Sequence, residues 1–157
     1  MSTVESLSEI KKELKTRSQA ELMELLVRIS RYRKENKELL SYLLFESHDK
    51  FSFIEKVKAE MNEQFDMIGN FQVYYLKKSL RKILRFAQKN IKYSGDKEVE
   101  MEVLIHFCQR FQSLQIKGTH NQVLLNIYDR QLIKLHKTLS TLHEDLQYDY
   151  QLQMQSL

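Results

Sequence analysis

The sequence predicts an all-α protein, a helical bundle or a short irregular stack of helical hairpins with six to seven helices. The chain has 157 residues with only three glycines and no proline, where average usage would supply about eleven and about eight. Turn-rich β folds need both residues for their backbone angles. The apolar residues also recur three and four positions apart, which is the helical period, and show no sustained alternation of the kind that strands show.

Length and charge narrow the protein class. One domain over residues 1–157 is the expectation for a chain of this size. A hydrophobic content of 42% excludes an intrinsically disordered chain, and a single cysteine excludes a disulfide scaffold. The formal net charge of +4 is only mildly basic and does not by itself indicate nucleic-acid binding.

The first thirty residues predict a cytoplasmic protein, because they hold no apolar segment long enough for a signal peptide. A membrane span needs about 20 apolar residues, and no stretch of the chain approaches that length. In the cytoplasm the lone Cys108 is expected to stay reduced.

Capping patterns mark the first helices. Ser6 with Glu9, and Ser18 with Glu21, fit the capping box that begins a helix, and Asn36 is predicted to cap a third. A fourth helix is expected from about residue 49 to residue 68. The apolar stripes of the first three are Leu7, Ile10 and Leu14; Leu22, Leu25, Leu26 and Ile29; and Leu39, Leu40, Leu43 and Leu44.

Later helices are expected over 70–93, 96–115 and from about residue 121 onward, with Gly69, Gly95 and Gly118 as helix terminators. The last helix is predicted to be long, with a frayed tail at about 147–157. Its heptad seam fits either a helical hairpin inside the domain or a coiled-coil homodimer. The hairpin is favoured because e and g charge pairing is not evident. The seam consists of Leu125, Tyr128, Leu132, Leu135, Leu139, Leu142 and Leu146.

One positional signal stands out between Asp66 and Asp96, where the chain has no acidic residue. On a helical wheel the basic residues of this segment fall within an arc of about 140°. Tyr74 projects into the same arc. We call this set the cationic face: Lys77, Lys78, Arg81, Lys82, Arg85, Lys89 and Lys92.

Like charges four residues apart repel by a few tenths of a kcal/mol, so the cationic face indicates a counter-charge. The leading interpretation is a binding module that contacts an acidic protein surface or nucleic acid through the cationic face and Tyr74, with Lys77, Arg81 and Arg85 at the centre. The alternatives are an anionic membrane surface, which is less favoured, a solvated face beside a homodimer seam, or neutralisation by flanking helices. The flanking carboxylates are Glu55, Glu60, Glu63, Glu98, Glu100 and Glu102.

Nothing in the sequence argues for catalysis, and no catalytic residue, metal or cofactor is predicted. An enzyme whose site residues are scattered over several helices is the third alternative, since such a site leaves no sequence motif. The five histidines include no pair spaced i,i+3 or i,i+4, the spacing that lets two imidazoles share a metal. Glu98, Glu102 and His106 share one helix line, which is typical of a surface charge stripe. Cys108 is expected to face inward as an inert thiol.

Three short segments carry a resemblance. The run Tyr74-Tyr75-Leu76-Lys77-Lys78-Ser79-Leu80-Arg81-Lys82-Ile83-Leu84-Arg85, the run Ile91-Lys92-Tyr93-Ser94-Gly95-Asp96, and the pair Phe107-Cys108 resemble an uncharacterised bacterial family of small all-helical proteins. The resemblance implies a bacterial, cytosolic helical domain. It assigns no activity and no catalytic residue.

Overall fold

The structure, a computed structural model, describes residues 3–116 and 121–157, and every regular element within those ranges is helical. The all-α prediction is confirmed. The described part contains eight α-helices and a π-helical turn at Tyr42–Glu46, rather than six to seven helices. The chain divides into two compact units, Met1–Phe45 (the N-terminal unit) and Glu46–Leu157 (the C-terminal unit). A single domain over 1–157 stays a prediction, since two compact units can belong to one domain or to two.

The N-terminal unit contains α1 (Leu7–Lys15), α2 (Gln19–Tyr32) and α3 (Lys34–Ser41). Ser6 begins α1 with a complete capping box, in which its hydroxyl accepts from the Glu9 amide and the Glu9 carboxylate accepts from the Ser6 amide. Ser18 caps α2 by accepting from the Glu21 amide. Both predicted helix starts are confirmed.

The predicted cap at Asn36 is wrong. Arg33, with extended backbone angles, separates α2 from α3, and α3 starts at Lys34 without a side-chain cap. Asn36 lies inside α3, where its amide donates to the Ile29 carbonyl at 2.9 Å. Its side chain thus satisfies a carbonyl at the end of the preceding helix rather than amides at the start of its own.

The C-terminal unit is built around one central helix. It contains α4 (Lys50–Asp66), α5 (Val73–Ser94), α6 (Lys97–Ser113), α7 (Gln122–Leu139) and α8 (Glu144–Met154). Helix α6 packs against the other four and buries residues around much of its circumference. A helix enclosed in this way is apolar on several faces rather than on one stripe. Its buried residues are Val99, Met101, Val103, Leu104, Ile105, Phe107 and Cys108.

Helices α4 and α5 each bury one apolar side. The buried residues of α4 are Phe53, Ile54, Val57, Met61 and Phe65, and those of α5 are Leu76, Leu80, Ile83, Ala87 and Ile91. Gly95 ends α5 at a φ of 58°, the left-handed conformation that glycine adopts without a steric cost. Gly69 follows the end of α4 without a positive φ. Gly118 and His120 lie outside the described residues.

The prediction of one long last helix is wrong. Helix α7 ends at Leu139, and the Ser140 and Thr141 hydroxyls donate to the carbonyls of Lys137 and Thr138. His143 then caps α8. The leucine spacing continues across this break and therefore hides it. Periodicity shows where the apolar residues lie and carries no signal of the local side-chain bonds that end a helix.

The predicted frayed tail at 147–157 is also wrong. Helix α8 continues to Met154, with Tyr150 and Met154 buried. All seven side chains of the predicted seam are buried or half-buried, and Leu135 and Leu139 are the buried ones. The seam is therefore largely occupied by packing inside this chain.

Candidate binding face on helix α5

Helix α5 is fixed in place by its apolar side. Leu76, Leu80 and Ala87 are completely buried, and Ile83 is 1% exposed. The helix contacts α4, α6 and α7. Because a side chain in a close-packed interior occupies one position, the opposite side of α5 is presented in a fixed orientation.

The cationic face lies on that opposite side, as the helical wheel predicts. Lys78, Arg81, Lys82, Arg85 and Lys92 are exposed. Lys77 and Lys89 are half-buried. Of the predicted centre, Arg81 and Arg85 therefore face solvent, whereas Lys77 is partly covered.

Three of the flanking carboxylates pair with lysines outside the cationic face. Glu102 accepts from Lys58 of α4 at 2.8 Å, and Glu98 lies 3.4 Å from the Lys50 ammonium group. Glu55 also pairs with Lys58, at 3.9 Å. Both lysines belong to α4, so these three carboxylates compensate α4 rather than α5.

Six members of the cationic face form no ion pair with any carboxylate in the part of the chain that the structure describes. They are Lys77, Lys78, Arg81, Lys82, Arg85 and Lys92. The alternative of neutralisation by flanking helices is therefore not what the structure has at these six positions.

Aromatic side chains extend the cationic face toward the start of α5. The Tyr74 ring is 55% exposed, and the ammonium nitrogen of Lys78 lies 4.5 Å from its centroid. That distance is within the range of a cation–π contact. Tyr75 is 49% exposed and meets Tyr74 edge to face, with 5.2 Å between centroids. Phe71, just before the helix, is 52% exposed.

Tyr75 and Phe71 were missed by the sequence reasoning. On the wheel with Lys77 at zero, Tyr75 projects at about 160°, at the edge of the basic arc. That position could have identified it. Phe71 precedes the helix, so no wheel position applies to it.

The remaining candidate residues, His106 and Cys108, lie on α6. The His106 ring nitrogen lies 2.7 Å from the Asn62 side-chain oxygen, and burial is the main cause that lowers the pKa of His106. Burial raises the pKa of the Cys108 thiol to about 12. Among residues 3–116 and 121–157, no three His, Cys, Asp or Glu side chains are grouped to hold a metal ion.

No α-helix in the described part of the chain combines the length and the apolar character that crossing a membrane requires. No protein-family model, curated protein or solved structure matches this chain.

Proposed function

We propose that this chain is a non-catalytic binding protein, and that the cationic face of α5 contacts the phosphates of single-stranded nucleic acid. The observation that carries the proposal is the set of six basic side chains on one rigid helix side with no carboxylate partner among the described residues. Uncompensated cations held in a row form a site for a polyanion.

The aromatic residues favour nucleic acid over an acidic protein surface. Proteins that bind single strands combine a basic track for the backbone with aromatic rings on which bases stack. Tyr74 and Tyr75 lie at one end of the cationic face, and both rings are about half exposed. An acidic protein surface would need the cations but would have no specific use for the rings.

The spacing of the cations also suits an extended strand. Arg81 and Arg85 are one helical turn apart, which is a rise of about 6 Å along the axis. From Lys78 to Lys92 the cationic face extends about 21 Å. A strand lying along α5 would meet a positive charge at each turn.

The setting that we propose is the bacterial cytoplasm. It rests on the resemblance of the α5 segment to a bacterial helical family and on Cys108, a buried free thiol that a reducing compartment keeps reduced.

Binding of a fluorescently labelled mixed-sequence single strand to the full chain tests the proposal. We compare the natural chain with Arg81→Glu/Arg85→Glu, measuring fluorescence anisotropy at low salt. The matched control is Arg130→Glu/Lys134→Glu, which reverses two exposed cations of α7 at the same spacing.

We expect the α5 variant to lose at least about tenfold in affinity, because each reversed residue replaces an attraction to phosphate by a repulsion. The α7 control is expected to stay within about twofold of the natural chain, because its residues lie outside the cationic face. Equal losses in both variants would show only a response to net charge and would contradict the site. An absence of binding by the natural chain at low salt would exclude nucleic acid and leave an acidic protein surface as the partner.

A further inference from the structure

The N-terminal unit leaves its apolar stripes uncovered. In described residues 3–45, Tyr42 is the one buried side chain, and α1, α2 and α3 bury none. Leu26 is 49% exposed and Ile29 is 56% exposed, although both belong to the apolar stripe of α2. Exposed apolar surface of this extent marks an interaction site.

The helices are also too short to be stable without tertiary packing. They contain 9, 14 and 8 residues, and isolated helices shorter than about 12–15 residues are marginal in water. The side-chain caps of α1 and α2 supply roughly 1 kcal/mol each, and α3 has none. Packing against another surface is therefore needed to hold the unit in this form.

Two grooves of opposite charge lie on this unit. The acidic groove runs between α1 and α2 over the apolar residues Ile10, Leu14 and Leu25, and Arg17 and Arg28 are its basic residues. Its carboxylates are Glu5, Glu9, Glu13, Glu21 and Glu24. Five carboxylates against two guanidinium groups leave it negative.

The basic groove runs along α2 and α3 over Val27, Leu40, Leu44 and Phe45. Its charged side chains are Arg31, Arg33, Lys34 and Lys37, with no carboxylate in its lining. The floor is apolar, as in the acidic groove, while the charge has the opposite sign.

A shallow middle groove on α2 joins the other two. Glu24 and Arg28 line both this groove and the acidic one, and Val27 and Arg31 line both this groove and the basic one. Met23 lies in the middle groove and is 60% exposed. The three grooves therefore form one continuous surface, acidic toward α1 and basic toward α3.

We propose that this surface binds the same surface of a second copy of the chain, with the two α2 helices antiparallel and the twofold axis near Met23 and Val27. In that arrangement the acidic groove of each copy meets the basic groove of the other. A twofold interface is self-complementary and closes at two copies. The proposal does not depend on the nucleic-acid proposal, because none of its residues lies on α5.

A second copy fits better than an unrelated partner because the surface carries its own complement. A partner of one charge sign would match one groove and be repelled by the other, and such repulsion costs several kcal/mol. An antiparallel copy matches both grooves while covering the apolar floors of both.

Sedimentation equilibrium of the full chain, with two groove variants, tests the proposal. Glu5→Lys/Glu24→Lys makes the acidic groove weakly positive, and Arg31→Glu/Lys37→Glu neutralises the basic one. None of these four side chains forms an ion pair with a described residue. The control for the basic-groove variant is Lys11→Glu/Lys12→Glu, on exposed residues of α1 that line none of the three grooves.

The natural chain and the control are expected to dimerise with similar affinity. Each groove variant alone is expected to dimerise at least about tenfold more weakly. The acidic-groove variant opposes two positive grooves, and the basic-groove variant opposes an acidic groove to a neutral one. A 1:1 mixture of the two groove variants is expected to dimerise more strongly than either variant alone, because the unchanged basic groove of one variant meets the unchanged acidic groove of the other. Circular dichroism of each variant verifies that helical content is retained.

Three results would overturn the proposal. They are a natural chain that stays monomeric at every concentration, groove variants that dimerise as strongly as the natural chain, and a mixture that stays monomeric although its components are folded.

Salt provides a test that needs no variant. The natural dimer is expected to weaken as salt rises, and a dimer that is indifferent to salt would contradict the charge pairing.

Discussion

The two units use the same type of amphipathic helix with different outcomes. In the C-terminal unit the apolar stripes of α4 and α5 close against α6, so that Met61, Leu80 and Phe107 are completely buried. In the N-terminal unit the equally regular stripe of α2 leaves Leu26 and Ile29 about half exposed. A helical period therefore identifies the apolar side of a helix. How much that side contributes to stability depends on what covers it.

The difference extends to charge. In the C-terminal unit, carboxylates of α6 pair with lysines of α4, and six of the seven basic residues of the cationic face form no ion pair with a carboxylate among the described residues. In the N-terminal unit, charges of opposite sign are separated into two grooves. The first arrangement suits a polyanion, and the second suits a partner that carries both signs.

The largest loss of stability is expected from a substitution in the centre of the C-terminal unit. Phe107→Ala removes a completely buried ring that packs between Phe65 and Phe111. We expect the free energy of unfolding, measured with urea, to fall by about 3–5 kcal/mol. Leu26→Ala, on the open stripe of the N-terminal unit, is expected to cost about 1 kcal/mol or less. Equal losses would show that the N-terminal stripe is buried as deeply as the central helix.

The junction between α5 and α6 predicts a smaller effect. The Asp96 carboxylate accepts from the Glu98 and Val99 amides at the start of α6, and lies 2.9 Å from the Lys50 ammonium group. Asp96→Ala removes both the cap and the charge and is expected to cost about 1–2 kcal/mol. Asp96→Asn keeps a capping oxygen and removes the charge, so it is expected to cost about 1 kcal/mol or less.

The cost of Asp96→Asn is expected to depend on pH. Burial acts to raise the pKa of Asp96, but the Lys50 ammonium group and the two amides outweigh it and lower the pKa below its usual value. A lowered pKa in the folded chain means that the ionised group stabilises the fold near neutral pH, and that this contribution is lost as pH falls below about 4. Urea unfolding at pH 7 and near pH 3 measures the difference. A gap between the natural chain and Asp96→Asn that is as large at the lower pH as at pH 7 would contradict the assignment.

The smallest expected signal is the reactivity of Cys108. With its pKa raised to about 12 by burial, only about one thiol in 10,000 is ionised at pH 8. Since the thiolate is the reactive form, an aromatic disulfide reagent is expected to leave the folded chain unmodified at pH 8. The same reagent in concentrated urea is expected to modify one thiol per chain. Rapid reaction of the folded chain would show that the centre of the C-terminal unit opens readily.

Much of the fold follows from local sequence patterns. The capping box at Ser6 and the stop at Gly95 each depend on residues a few positions apart, and each was predicted. The break after Leu139 was not, because the leucine spacing continues through it and a hydroxyl bond to a nearby carbonyl leaves no periodic signal. The burial of Tyr150 depends on distant residues, so a polar tail was read as frayed.

The basic residues of the candidate site were predicted from the sequence, but the ion pairs of the neighbouring carboxylates were not. The wheel placed Arg81 and Arg85 on one side of α5, which is where the structure has them. It gave no information on where Glu98 and Glu102 would find partners, since that depends on how α4 and α6 pack. The open grooves of the N-terminal unit were also unforeseen, because a stripe predicts that something covers it and does not identify what does.

The central claim, that the cationic face of α5 binds phosphates, is tested most directly by the salt dependence of single-strand binding. Each phosphate that is neutralised contributes about −0.7 to the slope of log affinity against log salt concentration. The five exposed cations of α5 predict a slope of about −3.5 for the natural chain and about −2 for Arg81→Ala/Arg85→Ala. A slope near zero, or one that the two substitutions leave unchanged, would contradict the claim.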